Sequence, residues 1–323
     1  MIASNFSNAR QYFYLCAIAL MLMQMPGCGH SENELRIGHR GLINGEFLRL
    51  ASASGFLDPS HYPLLALPSS SYVLKALNNQ LIDLAVMSLP DALAVHRANP
   101  DIKILLSLSY SQGADALLVQ PAIAHTRQLR GKIIGIESEL LGSYLLQRVL
   151  QQQGLSVNDV TLRVVEPEDQ VMAFAQGQVD AMISQEPLVS ALKEVGASVF
   201  FDSRQIPDEQ LFVLVANLAT VCEKFQAITN LRVGWFDAMH YIRWHGDVFA
   251  EDALQRFGLS HDKAEAMMKT VRFVTRGEND KMAMPGESFQ LSLGKVQPFM
   301  LQQGLLDQRV DAEALLMGQG DCG

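Results

Sequence analysis

The residues of this sequence whose types and spacing could do chemistry stand where apolar segments end. Ser69-Ser70-Ser71 follows one apolar segment and precedes a helix-like one. Hydroxyls and free backbone N–H groups at such a junction can cap the helix or hold a ligand. Ser88 closes a second apolar segment, Glu137 a third, and Gln185 with Glu186 a fourth. Glu186 directly precedes Pro187, where a carboxylate also stabilises a helix start by its charge. His39 and Arg40 follow the first apolar segment and can take an anion or lie as ordinary surface groups. Gln112-Gly113 sits where the chain is expected to cross between substructures, as hinge, pocket floor or both. Gly142 permits close backbone approach to a ligand, or only tight helix packing. Glu137 and Glu186 are acidic and only Arg40 is firmly basic. That balance favours a ligand with amine, amidine or other donor character over nitrate or sulfonate.

These groups are positioned by alternating strand-like and helix-like segments. Leu35–Gly38, Tyr62–Leu67, Asp83–Met87, Ile102–Ser109 and Ala116–Gln120 read as short apolar strands. Helices are expected at Glu46–Gly55, Tyr72–Asn79 and Pro90–Arg97. A second run starts with the strand Lys132–Ile136 and a helix Leu140–Gln152, where Leu141, Tyr144, Leu145 and Val149 share one face at helical spacing. Strands separated by helices argue for a parallel sheet covered on both faces. After a strand at Leu211–Val215 the pattern reads as all helical. Leu231, Trp235, Met239 and Ile242 mark one of those helices, and a last one is expected at Phe289–Gln303.

One internal echo stands out. Ala76–Asp83 is followed seven residues after Asp83 by Pro90, and Ala173–Asp180 seven residues after Asp180 by Pro187. Both read as helix, tight turn, Asp, apolar strand, then a Pro suited to a first helical turn. Two lobes of one architecture are expected, with ligand held beyond the carboxyl ends of their strands and enclosed by a hinge motion.

The chain has 323 residues, with 25 Lys and Arg against 34 Asp and Glu, a net charge of −9. No dense basic cluster is present, which argues against nucleic acid as a partner. Residues 1–27 carry one charged side chain, Arg10, and an apolar stretch from Tyr12 to Met25. This fits a signal peptide. Its end, Met25-Pro26-Gly27-Cys28, resembles a bacterial lipoprotein cleavage site, with Cys28 as the lipidated residue; ordinary secretion into the periplasm is the alternative. Cys222 and Cys322 admit a disulfide pinning the tail, or a small buried Cys222 beside a free tail Cys322. The second is the expectation here, because spacing alone does not show that two cysteines meet.

With these elements in place, the segments Ser111-Gln112-Gly113-Ala114-Asp115, Leu129–Glu137, Leu141–Leu146, Gly177–Ala181, Glu186-Pro187 and Phe201–Pro207 resemble, in order, the type II periplasmic substrate-binding proteins of the nitrate/sulfonate/taurine/thiamine-precursor group of ABC importers. The resemblance covers most of Leu35 to about Leu305. It implies capture of a small molecule and delivery to a membrane permease. One departure is the loop His39–Gly45, where many relatives carry an aromatic Trp-Pro-Gly-like loop.

The resulting expectation is an α/β two-lobed clamshell of the periplasmic binding protein type II class. Each lobe is a mainly parallel sheet flanked by helices, with a helical C-terminal part. Lobe one spans 35–114 and 215–323, and lobe two 115–214; 1–27 is the signal peptide and 28–34 a linker. The expected ligand contacts are His39, Arg40, Ser69, Ser70, Ser71, Ser88, Gln112, Gly113, Glu137, Gly142, Gln185 and Glu186. No cofactor or metal is expected. The partners are the ligand, an ABC permease or a membrane sensor, and the membrane through the lipid alone, with the chain a monomer. Catalysis is the less favoured reading, although the resemblance includes relatives that make thiamine pyrimidine. The chain offers no G-x-S-x-G, H-E-x-x-H, P-loop or Rossmann glycine motif, and His240 and His245 read as packing or surface residues.

Overall fold

The structure, a computed structural model, describes residues 34–137, 143–257, 260–318 and 320–322. The expected signal segment 1–27, Cys28 and Gly142 lie outside the described residues. In chain order the first elements are β1 (Ile37–Arg40), α1 (Ile43–Ala53), β2 (Leu64–Leu67), α2 (Ser70–Asn78), β3 (Leu84–Ser88), α3 (Leu89–Ala98) and β4 (Ile102–Ser111). There follow β5 (Asp115–Val119), β6 (Ile133–Ile136), α4 (Ser143–Gln152), β7 (Thr161–Val164), α5 (Gln170–Ala175), β8 (Ala181–Gln185), α6 (Leu188–Glu194) and β9 (Ser198–Asp202). The last are β10 (Leu211–Asn217), α7 (Leu218–Glu223), α8 (Phe225–Trp244), α9 (Gly246–Phe257), α10 (His261–Met268), β11 (Val271–Phe273), α11 (Arg276–Asp280), α12 (Ser288–Gln302) and α13 (Ala312–Leu315).

Two sheets result, in the orders β11-β4-β10-β3-β1-β2 and β7-β6-β8-β5-β9. Each has a parallel trio, β2-β1-β3 or β7-β6-β8. Beside each trio lies one antiparallel strand, β10 or β5. These are the strands by which the chain crosses between sheets. The crossing out lies between β4 and β5, and the crossing back between β9 and β10. β10 pairs wholly within the six-stranded sheet, so the chain has returned to that sheet by Leu211. Buried apolar residues cover both faces of each sheet, which is why the inner strands read as continuous apolar runs. In α8, Leu231, Trp235, Met239 and Ile242 are all buried, as their spacing predicts. The stretch after Leu218 is not all helical: β11 pairs antiparallel with β4 at the sheet edge. Three residues between two helices are too few for a readable period.

The internal echo has a structural basis. Asp83 stands before β3, and its carboxylate accepts from the Arg36 backbone N–H at 2.8 Å. Asp180 stands before β8 and accepts from the Ile133 N–H at 2.9 Å. Each thereby pins the start of one strand to its parallel neighbour. Beside each Asp lies a glycine that admits a neighbouring side chain. A Cβ on Gly38 would stand 2.3 Å from Ile82 Cδ1, and one on Gly135 would stand 2.6 Å from Met182 Sδ.

Cys222 and Cys322 form a disulfide, with 5.2 Å between their Cα atoms. This corrects the expectation of a free tail cysteine. The packing of Leu315 and Leu316 into the core returns the tail to α7, a proximity that a sequence separation of 100 residues conceals. Reduction, or Cys222→Ser, is expected to cost about 2–4 kcal/mol of unfolding free energy by releasing a long loop in the unfolded chain. Urea unfolding with and without reductant checks this; coincident curves would show that the cross-link adds nothing.

Candidate functional site

The carboxyl ends of β1, β3, β6 and β8 converge with the start of α2. They bring Arg40, Ser88, Glu137, Gln185 and Ser70 to one cleft. Strand register relates these residues in pairs. Ile37 lies opposite Leu84 and Ile134 opposite Ala181, so Arg40 and Glu137 are equivalent positions of the two sheets, as are Ser88 and Gln185. The equivalent residues meet. The Arg40 guanidinium pairs with the Glu137 carboxylate, and its Nη2 donates to Gln185 Oε1 at 3.2 Å. Glu137 Oε1 accepts from the Ser70 backbone N–H at 2.7 Å. Gln185 Nε2 donates to the Asp115 carboxylate at 3.0 and 3.2 Å. One network thus joins α2, β1, β5, β6 and β8, and leaves a cavity of about 60 Å³, room for a few water molecules.

Four further lining residues were not singled out as contacts in the sequence. Asp91 lies in the first turn of α3, its backbone N–H donating to Ser88 Oγ at 3.3 Å. It is 9% exposed. Burial pushes its carboxyl up to about 7; the Ser88 hydrogen bond and the Arg40 charge oppose this, and the Glu137 charge adds to it. Asp115 opens β5. Burial raises its carboxyl too, against hydrogen bonds from Ser111 and Gln185. Tyr144 lines the cleft and donates to Glu209 at 2.7 Å. Phe212 closes the apolar side. An acid in a helix's first turn reads as a dipole partner, and an Asp opening a strand as a turn residue, so neither type signals a cleft.

Other expected contacts are not brought there. His39 is buried against Gly45, its Nδ1 2.7 Å from Arg40 O, and burial lowers its imidazole. The Glu186 carboxylate turns to α6 and accepts from Ser190 N and Oγ, both at 3.0 Å. Burial raises it, against those bonds. Adjacent residues at a strand end point to opposite sides, so Gln185 in the cleft turns Glu186 away from it. Ser71 lies outside the lining. Ser69 is 1% exposed, and its Oγ has no hydrogen-bond partner. Gln112 and Gly113 lie in the outward crossing, where Gly113 has φ +113° and donates to Ser203 Oγ at 2.7 Å. A second groove of about 790 Å³ lies between α8 and β11 and shares no lining residue with this cleft.

A parallel trio with one antiparallel crossing strand, repeated in two sheets that face across a cleft, is the architecture of the periplasmic binding protein type II fold. The structure is similar to the alkanesulfonate-binding protein SsuA from Xanthomonas axonopodis pv. citri, bound to MOPS. The TM-score is 0.71 at 21% identity, over 88% of this chain and 98% of that one. It is also similar to the desulfurization enzyme DSZB, with TM-score 0.62 at 19% identity, over 88% and 97% of the two chains. The model of the NMT1-like family matches residues 31–255, and the chain belongs to that family. In sequence it is 27% identical over 194 residues to the "Putative aliphatic sulfonates-binding protein" of Escherichia coli (strain K12), a match of 58% of this chain and 60% of that one. Binding proteins of Brucella are matched over 38% of their length.

An acid whose folded pKa lies above its unfolded one favours folding at low pH, and that contribution is lost as pH rises through the folded value. For Asp91 the window runs from its ordinary 3.8 to about 7. The stability of the native chain relative to Asp91→Asn is therefore expected to fall across it by about 4 kcal/mol and to level off above it. Urea unfolding of both proteins from pH 4 to pH 8 checks this; a pH-independent difference would show that Asp91 ionises as a solvated carboxylate.

Proposed function

We propose that the chain is the solute-binding component of an ABC-type import system, capturing a small organic molecule between two lobes. The observation that carries this is the cleft itself. Its polar lining comes in equivalent pairs from two sheets, at the strand ends where open α/β sheets take ligands. The names of the sulfonate-binding relatives support the same reading. The six-stranded sheet forms the core of one lobe and the five-stranded sheet that of the other. The hinge is the pair of crossings 112–114 and 203–210, tied together by Ser111 Oγ and Ser203 Oγ at 2.8 Å. Contacts to the solute come from Arg40, Ser70, Ser88, Asp91, Asp115, Glu137 and Gln185. A cavity of about 60 Å³ is smaller than the roughly 300 Å³ of the smallest usual ligand pockets, so capture requires the sheets to part and close again on the solute.

The fold also serves an enzyme, but the described residues lining this cleft include no histidine or cysteine, and His39 is turned from it. Binding is therefore preferred to catalysis. The chain acts outside the cytoplasm, held to the membrane by a lipid on Cys28, and as a monomer hands its solute to a permease. Among the described residues no helix is long and apolar enough to cross a membrane, and the Cys222–Cys322 disulfide suits an oxidising compartment.

The test is thermal unfolding of the purified protein against pyrimidines, polyamines, amino acids, sulfonates, nitrate and bicarbonate. A solute at about 100 times its Kd adds roughly 2.7 kcal/mol, about 5 °C or more. Gln185→Ala should weaken affinity at least tenfold. A monodisperse protein that no solute in the panel shifts would count against capture and for a protein-docking role.

A further inference from the structure

We propose that Glu137 sets the charge of the solute this cleft accepts: its carboxylate fills an oxyanion seat made by Arg40 and the start of α2, so the cleft admits small organic cations and refuses monoanionic oxyanions. This rests on the solute-binding reading above.

Two observations define the seat. The nine-residue helix α2 opens with the Ser70 N–H free of intrahelical bonding, and it donates to Glu137 Oε1 at 2.7 Å while Arg40 pairs with the other oxygen. A helix N-terminus and a guanidinium together are suited to an oxyanion, and a carboxylate of the chain itself is seated there. At the same helix start Ser69 Oγ is 1% exposed and without a hydrogen-bond partner. It does not cap its helix, so this helix start also holds a buried hydroxyl without a partner.

Once that seat is filled, the charged side chains left in the described lining, Asp91 and Asp115, are both acidic. Asp91 and Asp115 line the cleft with Arg40, whose guanidinium is already paired with Glu137. The Gln185 side chain is committed at both ends, to Arg40 and to Asp115. Arg40 and Glu137 each act on the ionisation of Asp91 and Asp115, so the four groups lie within range of one another's charge. A monoanion entering here displaces Glu137 or meets three carboxylates. A protonated amine or guanidinium meets two buried carboxylates whose desolvation it offsets.

The experiment titrates the native protein and Glu137→Gln with agmatine, putrescine and ethanesulfonate, by calorimetry. The native protein is expected to bind at least one of the two cations and not ethanesulfonate. Glu137→Gln is expected to gain ethanesulfonate binding by at least tenfold. Adding Ser70→Pro should abolish that gain. Proline is tolerated at a first helical position and follows the extended residue Ser69, so it deletes the seat's N–H without breaking α2. Ethanesulfonate binding by the native protein, unimproved in Glu137→Gln, overturns this proposal and leaves solute capture standing. Binding of neither cation by the native protein also overturns it. A gain in Glu137→Gln that survives Ser70→Pro removes the helix start from the seat. If Glu137→Gln fails to fold, Asp91→Asn still decides: it should weaken cation binding at least tenfold, and unchanged cation binding would sink the assignment.

Discussion

Arg40 and Glu137 end equivalent strands of two sheets, and neither is free to hydrate fully in the space between them. Their side chains are 20% and 10% exposed. Desolvation of such a pair offsets most of its attraction, but removing one member leaves a buried charge uncompensated, at about 3–5 kcal/mol. The approach of the sheets and the neutralisation of these charges are therefore one event. The rest of the cleft follows from it. Arg40 reaches Gln185, which orients Asp115; Glu137 reaches Ser70, which fixes the start of α2. The strand ends converge because each polar group finds its partner on another element.

The pairing grows out of repetition. In both sheets an Asp pins strand starts in register, and a glycine admits a neighbouring side chain against the strand. These features set where β1 and β6 end. The repeat fixes position and leaves residue type free, so the same site carries Arg in one sheet and Glu in the other. Two arginines there would repel across the cleft and favour separated sheets. One of each sign gives an attraction that resides in the chain and owes nothing to a solute.

How far the sequence revealed this depended on the range of each interaction. Local periodicity located α8 and its buried stripe, and the echoed Asp and Pro positions located the two units. Strand-end polar residues were legible as a class, because apolar runs stop where they begin. Which of two neighbours faces the cleft was not. Gln185 and Glu186 differ only in the side of the chain they take, and His39 and Arg40 likewise; that parity is set by pairing with strands nearly fifty residues away. Asp91 and Asp115 carry ordinary local roles, at a helix start and a strand start, and become cleft acids only when the sheets face each other. The disulfide and β11 depend on contacts a hundred or more residues apart in the chain, which no window on the sequence spans.

A solute's affinity for such a cleft is a difference, not a sum. The sheets already attract through Arg40, Glu137 and the Ser70 amide, so a solute that took over any of these partners would gain only the excess of its contacts over those it displaced. An oxyanion competes for the seat against a carboxylate tethered to the same chain, whose effective concentration no dilute solute matches. A cation leaves the bridge intact: it adds to the network at Asp91 and Asp115, where it competes only with the neutral Gln185 amide. The internal ion pair thus biases selection by charge before any shape of the pocket comes into play.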